Sequence, residues 1–190
     1  MDGSARETWD ARYRQRGTAP GPPSDWLAAN QGLLRGTRAL DLACGTGRNA
    51  LLLARLGFTV DALDISEVAI EALLGVTSVH ARAVDLEREP LPTGSYDVVV
   101  MINYLQRDLF AGAAAALAPC GVLVAETVTR AHLEQLGQSF DERFLLAPGE
   151  LRNAFGDLKV LRYQEGVVLR SGRPRAVAGI VAQRPGQARD

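Results

Sequence analysis

Ala39-Leu40-Asp41-Leu42-Ala43-Cys44-Gly45-Thr46-Gly47-Arg48-Asn49-Ala50 is the stretch on which the reading of the fold turns. It begins as a short strand, residues 39–43, and passes through two glycines into the helix-forming run that starts at Arg48. Glycines at 45 and 47 let the backbone turn tightly and approach a ligand. The helix behind them offers unpaired N–H groups to an anion. Strand, glycine turn and helix in that order open a parallel sheet covered by helices. Glycines alone assign no ligand, because any tight strand-to-helix turn selects them.

The alternation continues on both sides of this stretch. Gly57 stops the first helix, and a strand follows over 58–63. Ser66 caps a helix over 67–75, strand 78–84 comes next, and a polar loop with prolines runs through Ser95. Residues 96–102 (YDVVVMI) form the apolar run of a central parallel strand. A helix is predicted from Tyr104 to Leu117, with Leu105, Leu109, Ala113 and Leu117 on one face. Pro119-Cys120-Gly121 then turns the chain into strand 122–128. Upstream, a helix over Ala5–Arg16 has Ser4 and Glu7 at capping-box spacing, and residues 17–23 break it. Ser24 caps a second short helix carrying Trp26 and Leu27. Downstream, 129–147 loses periodicity and reads as an insertion, helix 148–155 follows, and strands 158–164 and 176–183 close as an antiparallel hairpin.

Composition bounds the function. The 190 residues are 47% hydrophobic and 23% charged, which excludes disordered, collagen-like and disulfide-scaffold classes. The longest apolar runs, such as Val98 to Ile102, fall far short of the roughly 20 residues that span a bilayer. The acids and arginines of the N-terminus exclude a signal peptide. A net charge of −1 argues against nucleic acid and against an anionic membrane surface. Cys44 and Cys120, with His80 and His132, build neither a metal site nor a disulfide framework, so no metal and a reducing cytoplasm are expected.

In such sheets ligands sit beyond the carboxyl ends of the strands, where strand order reverses. Asp41 puts a carboxylate at the first strand end, which opposes a pyrophosphate and favours a sulfonium and ammonium ligand. Asp64, 19 residues after Gly45, has the spacing of an acid that binds a ribose diol; its other reading, a helix cap, competes with Ser66. Asp85-Leu86 follow the third strand, where the carboxylate either accepts from an adenine amino group or is a solvated loop acid. Asn103, Tyr104 and Arg107 follow the fourth strand as a polar trio; Arg107 has the alternative of pairing with Asp108 or another surface acid.

These residues carry a family resemblance. DLACGTGRNA with the later ALDIS resembles motif I and the ribose acid of class I S-adenosylmethionine-dependent methyltransferases. GRN and RFLLAPGELRNAF…RYQEG are similar to the tellurite-resistance methyltransferase subgroup, over roughly residues 36–184. The resemblance, with the strand–helix pattern, implies an α/β Rossmann-like fold: a seven-stranded, mostly parallel sheet with helices on both faces and an antiparallel C-terminal strand pair. The whole chain, 1–190, reads as a single domain. It comprises an N-terminal helical arm (1–35), a cofactor-binding half (36–128), a substrate lid (129–147) and a C-terminal helix and hairpin (148–184).

The resemblance also implies S-adenosylmethionine as cofactor, held by Asp41, Ala43, Gly45, Gly47, Arg48, Asp64, Ile65, Asp85, Leu86 and Asn103. Asn103, Tyr104 and Arg107 would border the transferring methyl. Ala43 stands where the family motif has its first glycine, and the last hairpin lacks the subgroup's functional histidine, which removes the support for tellurite or selenite as acceptor. With no histidine expected at a strand end, a soft or already ionised nucleophile suits the site. Trp9 and Tyr13 share a helix face, and the simpler reading is that they dock the arm; an arm closing over the cofactor is the one relatives imply.

The expected reaction is methyl transfer to a small molecule, with oligomeric state open. An NAD(P)-dependent oxidoreductase is opposed by Asp41 and by the lack of a Tyr-x-x-x-Lys pair, Lys159 being the single lysine. A non-catalytic binding module for the same cofactor stays open, since binding and turnover use the same first motif.

Overall fold

Leu40 and Leu42 pack on one side of their strand and Ala39 on the other, and this period of two sets the layers of the domain. In the computed structural model, which describes residues 5–92, 96–137 and 140–186, their strand β1 (Arg38–Leu42) lies within a seven-stranded sheet. β2 (Thr59–Asp64) pairs with β1 in parallel, and β3 (Val79–Ala83) pairs with β2. On the other side come β4 (Tyr96–Ile102) and β5 (Leu117–Val128), also parallel. β7 (Arg173–Gln183) pairs antiparallel with β5, and β6 (Lys159–Arg170) forms the edge beside β7. The order β3-β2-β1-β4-β5-β7-β6 reverses its direction of growth between β1 and β4. That reversal puts the ligand crevice at the ends of those two strands.

Two apolar layers cover the sheet. On one face Val60, Ala62, Val98, Val100 and Val124 meet α2 (Asp25–Asn30), α3 (Arg48–Arg55) and α4 (Glu67–Glu71) through Leu27, Leu53 and Ile70. On the other, Val99, Met101, Leu123 and Ile180 meet α5 (Leu109–Ala115) and α7 (Glu150–Ala154), where the Phe110 and Phe155 rings lie 5.2 Å apart. The arm helix α1 (Ala5–Arg16) lies against α4, and the short α6 (Ala131–Leu136) lies against β7. Ser24 and Ser66 cap α2 and α4 as expected, their hydroxyls accepting from the Leu27 and Ala69 N–H groups. The Ser4 cap and the loop end at Ser95 lie outside the described residues. No described helix is long and apolar enough to cross a membrane.

The helices predicted over 67–75 and 148–155 are shorter, Glu67–Glu71 and Glu150–Ala154, and three further boundaries differ in ways that shape the site. The helix predicted from Tyr104 starts at Leu109, because Asn103 takes φ +56° and donates its N–H to the Glu126 carbonyl at 2.8 Å, which bends the chain out of helical register. The strand predicted from Val122 starts at Leu117 and carries a kink where Cys120 has φ +65°. Across that kink the pairing with β4 jumps from Tyr96–Leu117 to Val98–Val122. The last hairpin is longer than predicted, its strands joined by Ser171-Gly172 with φ of +49° and +75°, as a two-residue turn of matching twist requires.

Trp26 lies over Gly179 of β7, where an added Cβ would come within 2.8 Å of the indole ring. Gly179→Ala should therefore lower stability by about 1–3 kcal/mol through overpacking, several degrees in Tm. Calorimetry reads this, and an unchanged Tm would mean that the indole moves aside freely.

Candidate active site

The turn after β1 is built from left-handed backbone: Ala43, Gly45 and Gly47 have φ of +54°, +57° and +83°. Gly47 allows α3 to start close to α4, since a Cβ there would meet Leu73 at 2.2 Å. Asp64, at the end of β2, braces the turn. Its Oδ2 accepts the Gly45 N–H at 2.8 Å and its Oδ1 accepts the Ser66 N–H at 2.9 Å. Burial raises its carboxyl above the ordinary value, and the N–H groups of Ser66 and Gly45 work against that rise.

A cavity of about 420 Å³ opens over the turn, lined by Ala43, Gly45, Arg48, Asp64, Asn103 and Tyr104, with Trp9, Tyr13 and Arg16 from the arm. Asp41 lies beneath this cavity and does not line it. It is 1% exposed, and its Oδ2 has no hydrogen-bond partner among the described residues. Burial pushes its carboxyl up to about 7, although the Ala50 N–H at the start of α3 and the Arg48 charge favour ionisation.

The arm is held by groups that the aromatic pair concealed in the sequence. Buried Asp10 accepts from the Ser66 hydroxyl at 2.5 Å and from the Val68 N–H at 3.3 Å, and Arg6 pairs with Glu67 at 2.5 Å. Trp9 and Tyr13, their rings 6.1 Å apart, face the cavity instead of docking the helix. The Tyr13 hydroxyl would lie 2.7 Å from a Cβ on Gly45. Burial first, then the charges of Asp64 and Cys44, push the Tyr13 phenol up to about 12, so it stays a donor over the turn.

A second cavity, of about 660 Å³, adjoins the first. Arg48, Ile102 and Asn103 line both. Its other walls carry Asp25, Glu126, His132, Arg170, Arg173 and Arg175. Glu126, buried at the end of β5, receives Nε and Nη2 of Arg170 on Oε2 at 2.8 and 2.6 Å. His132, buried on α6, accepts the Ala176 N–H on Nδ1 at 3.3 Å, which assigns the proton of the neutral ring to Nε2. The expectation of a nucleophile that needs no base rested on a site without histidine, and here His132 and a buried carboxylate face the second cavity.

The remaining predicted residues divide. Asn103 and Tyr104 reach the cavities, and burial raises the Tyr104 phenol well above its ordinary value, with Glu87 and Asp85 adding to the rise. Arg107 does not border them. It is taken up by Glu150 at 2.6 and 3.0 Å and by the Arg143 and Leu145 carbonyls, so it ties the 129–147 insertion to the loop after β4. Asp85 accepts the Glu87 N–H at 3.0 Å and lies 3.5 Å from Arg88, as a loop acid does. Leu86 is in the core and Ile65 is half-buried; neither lines either of these two cavities. Glu126 was missed, although a lone acid closing the apolar run 122–125 was a signal for it.

Residues 39–121 match the methyltransferase domain family. Hemagglutinin 1 of Eikenella corrodens is 29% identical over 170 residues, covering 78% of this chain and 55% of its own length. The ubiquinone biosynthesis O-methyltransferase of Caulobacter sp. (strain K31) is 32% identical over 110 residues, covering 50% of this chain and 42% of its own. The chain thus spans about half the length of these curated relatives. TehB from Haemophilus influenzae superposes with a TM-score of 0.71 at 19% identity, over 93% of this chain and 67% of that one, a likeness of fold.

Two stability measurements check the turn. Ala43→Gly should raise stability by about 1 kcal/mol, since it relieves a left-handed Cβ; equal or lower stability in urea would mean that the side chain contributes compensating packing. Asp41 has its folded pKa raised from 3.8 to about 7, so its contribution is intact at low pH and is lost as pH rises toward 7. The loss should be on the order of 3–4 kcal/mol between pH about 4 and about 7. Urea unfolding across that range should decline in the wild type and lack this component in Asp41→Asn.

Proposed function

We propose that this chain is a class I S-adenosylmethionine-dependent methyltransferase, a reading supported by the methyltransferase domain matched over residues 39–121, and that it transfers a methyl group to a small-molecule nucleophile. The observation that carries this reading is the pair of adjoining cavities with Arg48, Ile102 and Asn103 as their common wall. A cofactor over the glycine turn and an acceptor in the larger cavity would meet there, close together and away from bulk water.

The residues over the first cavity fit the cofactor. The orphaned Oδ2 of Asp41 lies under the turn, and an ammonium group bound above it would favour the ionised form of this carboxyl. Asp64 keeps lone pairs for a ribose diol beside its two N–H bonds. Gly45 and Gly47 leave room for close backbone approach, and Arg48 donates no hydrogen bond among the described residues, so it is available to a carboxylate. We assign the adenine to the loop after β3 beside Asp85, with Leu86 anchoring that loop in the core, and the border of the reacting centre to Asn103 and Tyr104. When bound, the cofactor supplies a methyl on a positively charged sulfur, whose carbon takes the nucleophile's lone pair while the carbon–sulfur pair returns to sulfur. A proton lost by the nucleophile has Glu126 as a nearby acceptor. Tyr13 and Trp9 exclude water from above.

Thermal unfolding tests the reading. S-adenosylhomocysteine at about 100 times its Kd should add about 2.7 kcal/mol, several degrees in Tm. Asp64→Ala should abolish that shift. A shift with NADH, and none with S-adenosylmethionine or S-adenosylhomocysteine, would overturn the reading. A chain that binds the cofactor yet releases no S-adenosylhomocysteine with any acceptor would be a binding module.

A further inference from the structure

The larger cavity carries an unequal set of charges. Four arginines, Arg48, Arg170, Arg173 and Arg175, line it with two carboxylates, Glu126 and Asp25. Arg170 is committed to Glu126, and Asp25 accepts the Ser171 N–H at 2.6 Å. The side chains of Arg173 and Arg175 donate no hydrogen bond and form no ion pair among the described residues. They stand two residues apart on β7, so their side chains leave the same face roughly 7 Å from each other. Two guanidinium groups so placed can close on one acid group from two sides.

Glu126 occupies the other end of the same face. It pairs with Gly179 across the β5–β7 ladder, and directly paired residues of antiparallel strands point the same way. Gly179 lies four residues along β7 from Arg175, roughly 13 Å of strand. Glu126 also adjoins the wall shared with the first cavity, since it pairs with Ile102 and its carbonyl accepts the Asn103 N–H. Both Arg170 bonds fall on Oε2, so Oε1 keeps its accepting capacity toward the cavity. An apolar acceptor would leave the half-buried Arg175 and the free oxygen of buried Glu126 without partners, with exposed Arg173 turned to solvent beside them.

We propose that the methyl acceptor is a small molecule with an ionised acid group at one end and an N–H or O–H group at the other. Arg173 and Arg175 bind the acid group, and Glu126 Oε1 accepts from the N–H or O–H beside the shared wall. This rests on the reading of the larger cavity as the acceptor site. The acid group is a carboxylate or a phosphate, which the same two guanidinium groups recognise. Arg170 is a positioning residue: it holds Glu126 and leaves the acid group to its two neighbours.

Calorimetric binding in the presence of saturating S-adenosylhomocysteine tests this without requiring turnover. The probes are para-hydroxyphenylacetate, its methyl ester, phenylacetate and inorganic phosphate. The hydroxy acid should bind at millimolar concentration or below and at least about tenfold more tightly than its ester, the range expected for charge-assisted hydrogen bonds. The Arg173→Ala/Arg175→Ala variant should lose the preference for acid over ester while binding S-adenosylhomocysteine as the wild type does. Glu126→Gln should lose the preference for the hydroxy acid over phenylacetate. Phosphate that displaces the hydroxy acid and outbinds phenylacetate would identify a phosphate as the native acid group, and the reverse order a carboxylate. An ester that binds as well as the acid, no acid bound at millimolar concentration, or a preference that survives the double substitution would overturn the proposal. Failure of the wild type to bind S-adenosylhomocysteine would instead overturn the cofactor reading, a separate outcome.

Discussion

Asp64 is held by two backbone N–H groups from different segments, Gly45 after β1 and Ser66 before α4, and the rest of the site is arranged around that junction. One carboxylate thereby locks the left-handed turn to the neighbouring strand end. Removing it would leave two backbone donors without their acceptor in a site where the carboxylate itself is 6% exposed. The same Ser66 that gives its N–H to Asp64 gives its hydroxyl to Asp10 of α1. The arm is therefore set in place by the residue that caps α4, and its aromatic pair is carried over the turn as a consequence.

The larger cavity depends on a different charged contact. Arg170 and Glu126 have side chains only 16% and 5% exposed and come from the edge strand and from β5, with β7 between them. A buried pair of this kind adds little net stability over an apolar pair, yet loss of one partner strands the other charge. Its contribution is placement. It keeps a carboxylate at the junction of the two cavities and holds the hairpin tip, with Arg173 and Arg175, against α2. Arg107 acts likewise after β4: it pairs with Glu150 of α7 at 2.6 Å and donates to the Arg143 and Leu145 carbonyls, which ties the insertion to that loop. Two ion pairs thus brace the hairpin tip and the insertion that the sequence left without periodicity.

Much of the sheet was legible because its signals are local. The apolar run 96–102, the glycines before Arg48 and the serines before α2 and α4 each act within a few residues, through side-chain period, backbone freedom or capping. The boundaries that differed were set at a distance. Nothing near Tyr104 announces that the Asn103 N–H will be taken by the Glu126 carbonyl of another strand, and without that bond a helix from 104 is a fair reading. Arg107 fails as a site residue for the same reason: Glu150 is 43 positions away, and only the folded chain brings the two together.

By itself, the sequence determined the alternating strands and helices, the glycine turn with its two acids, and the family resemblance that those residues carry. Each rests on interactions between near neighbours or on spacing along one chain segment. The tertiary structure alone decided which polar groups face the cavities. It turned Trp9 and Tyr13 toward the turn, put Asp41 beneath it, brought Glu126 and His132 to the second cavity, and left the side chains of Arg173 and Arg175 there without partners among the described residues. The physical reason is that exposure of a polar group and the identity of its partner are properties of packing between distant segments, and no local pattern encodes them.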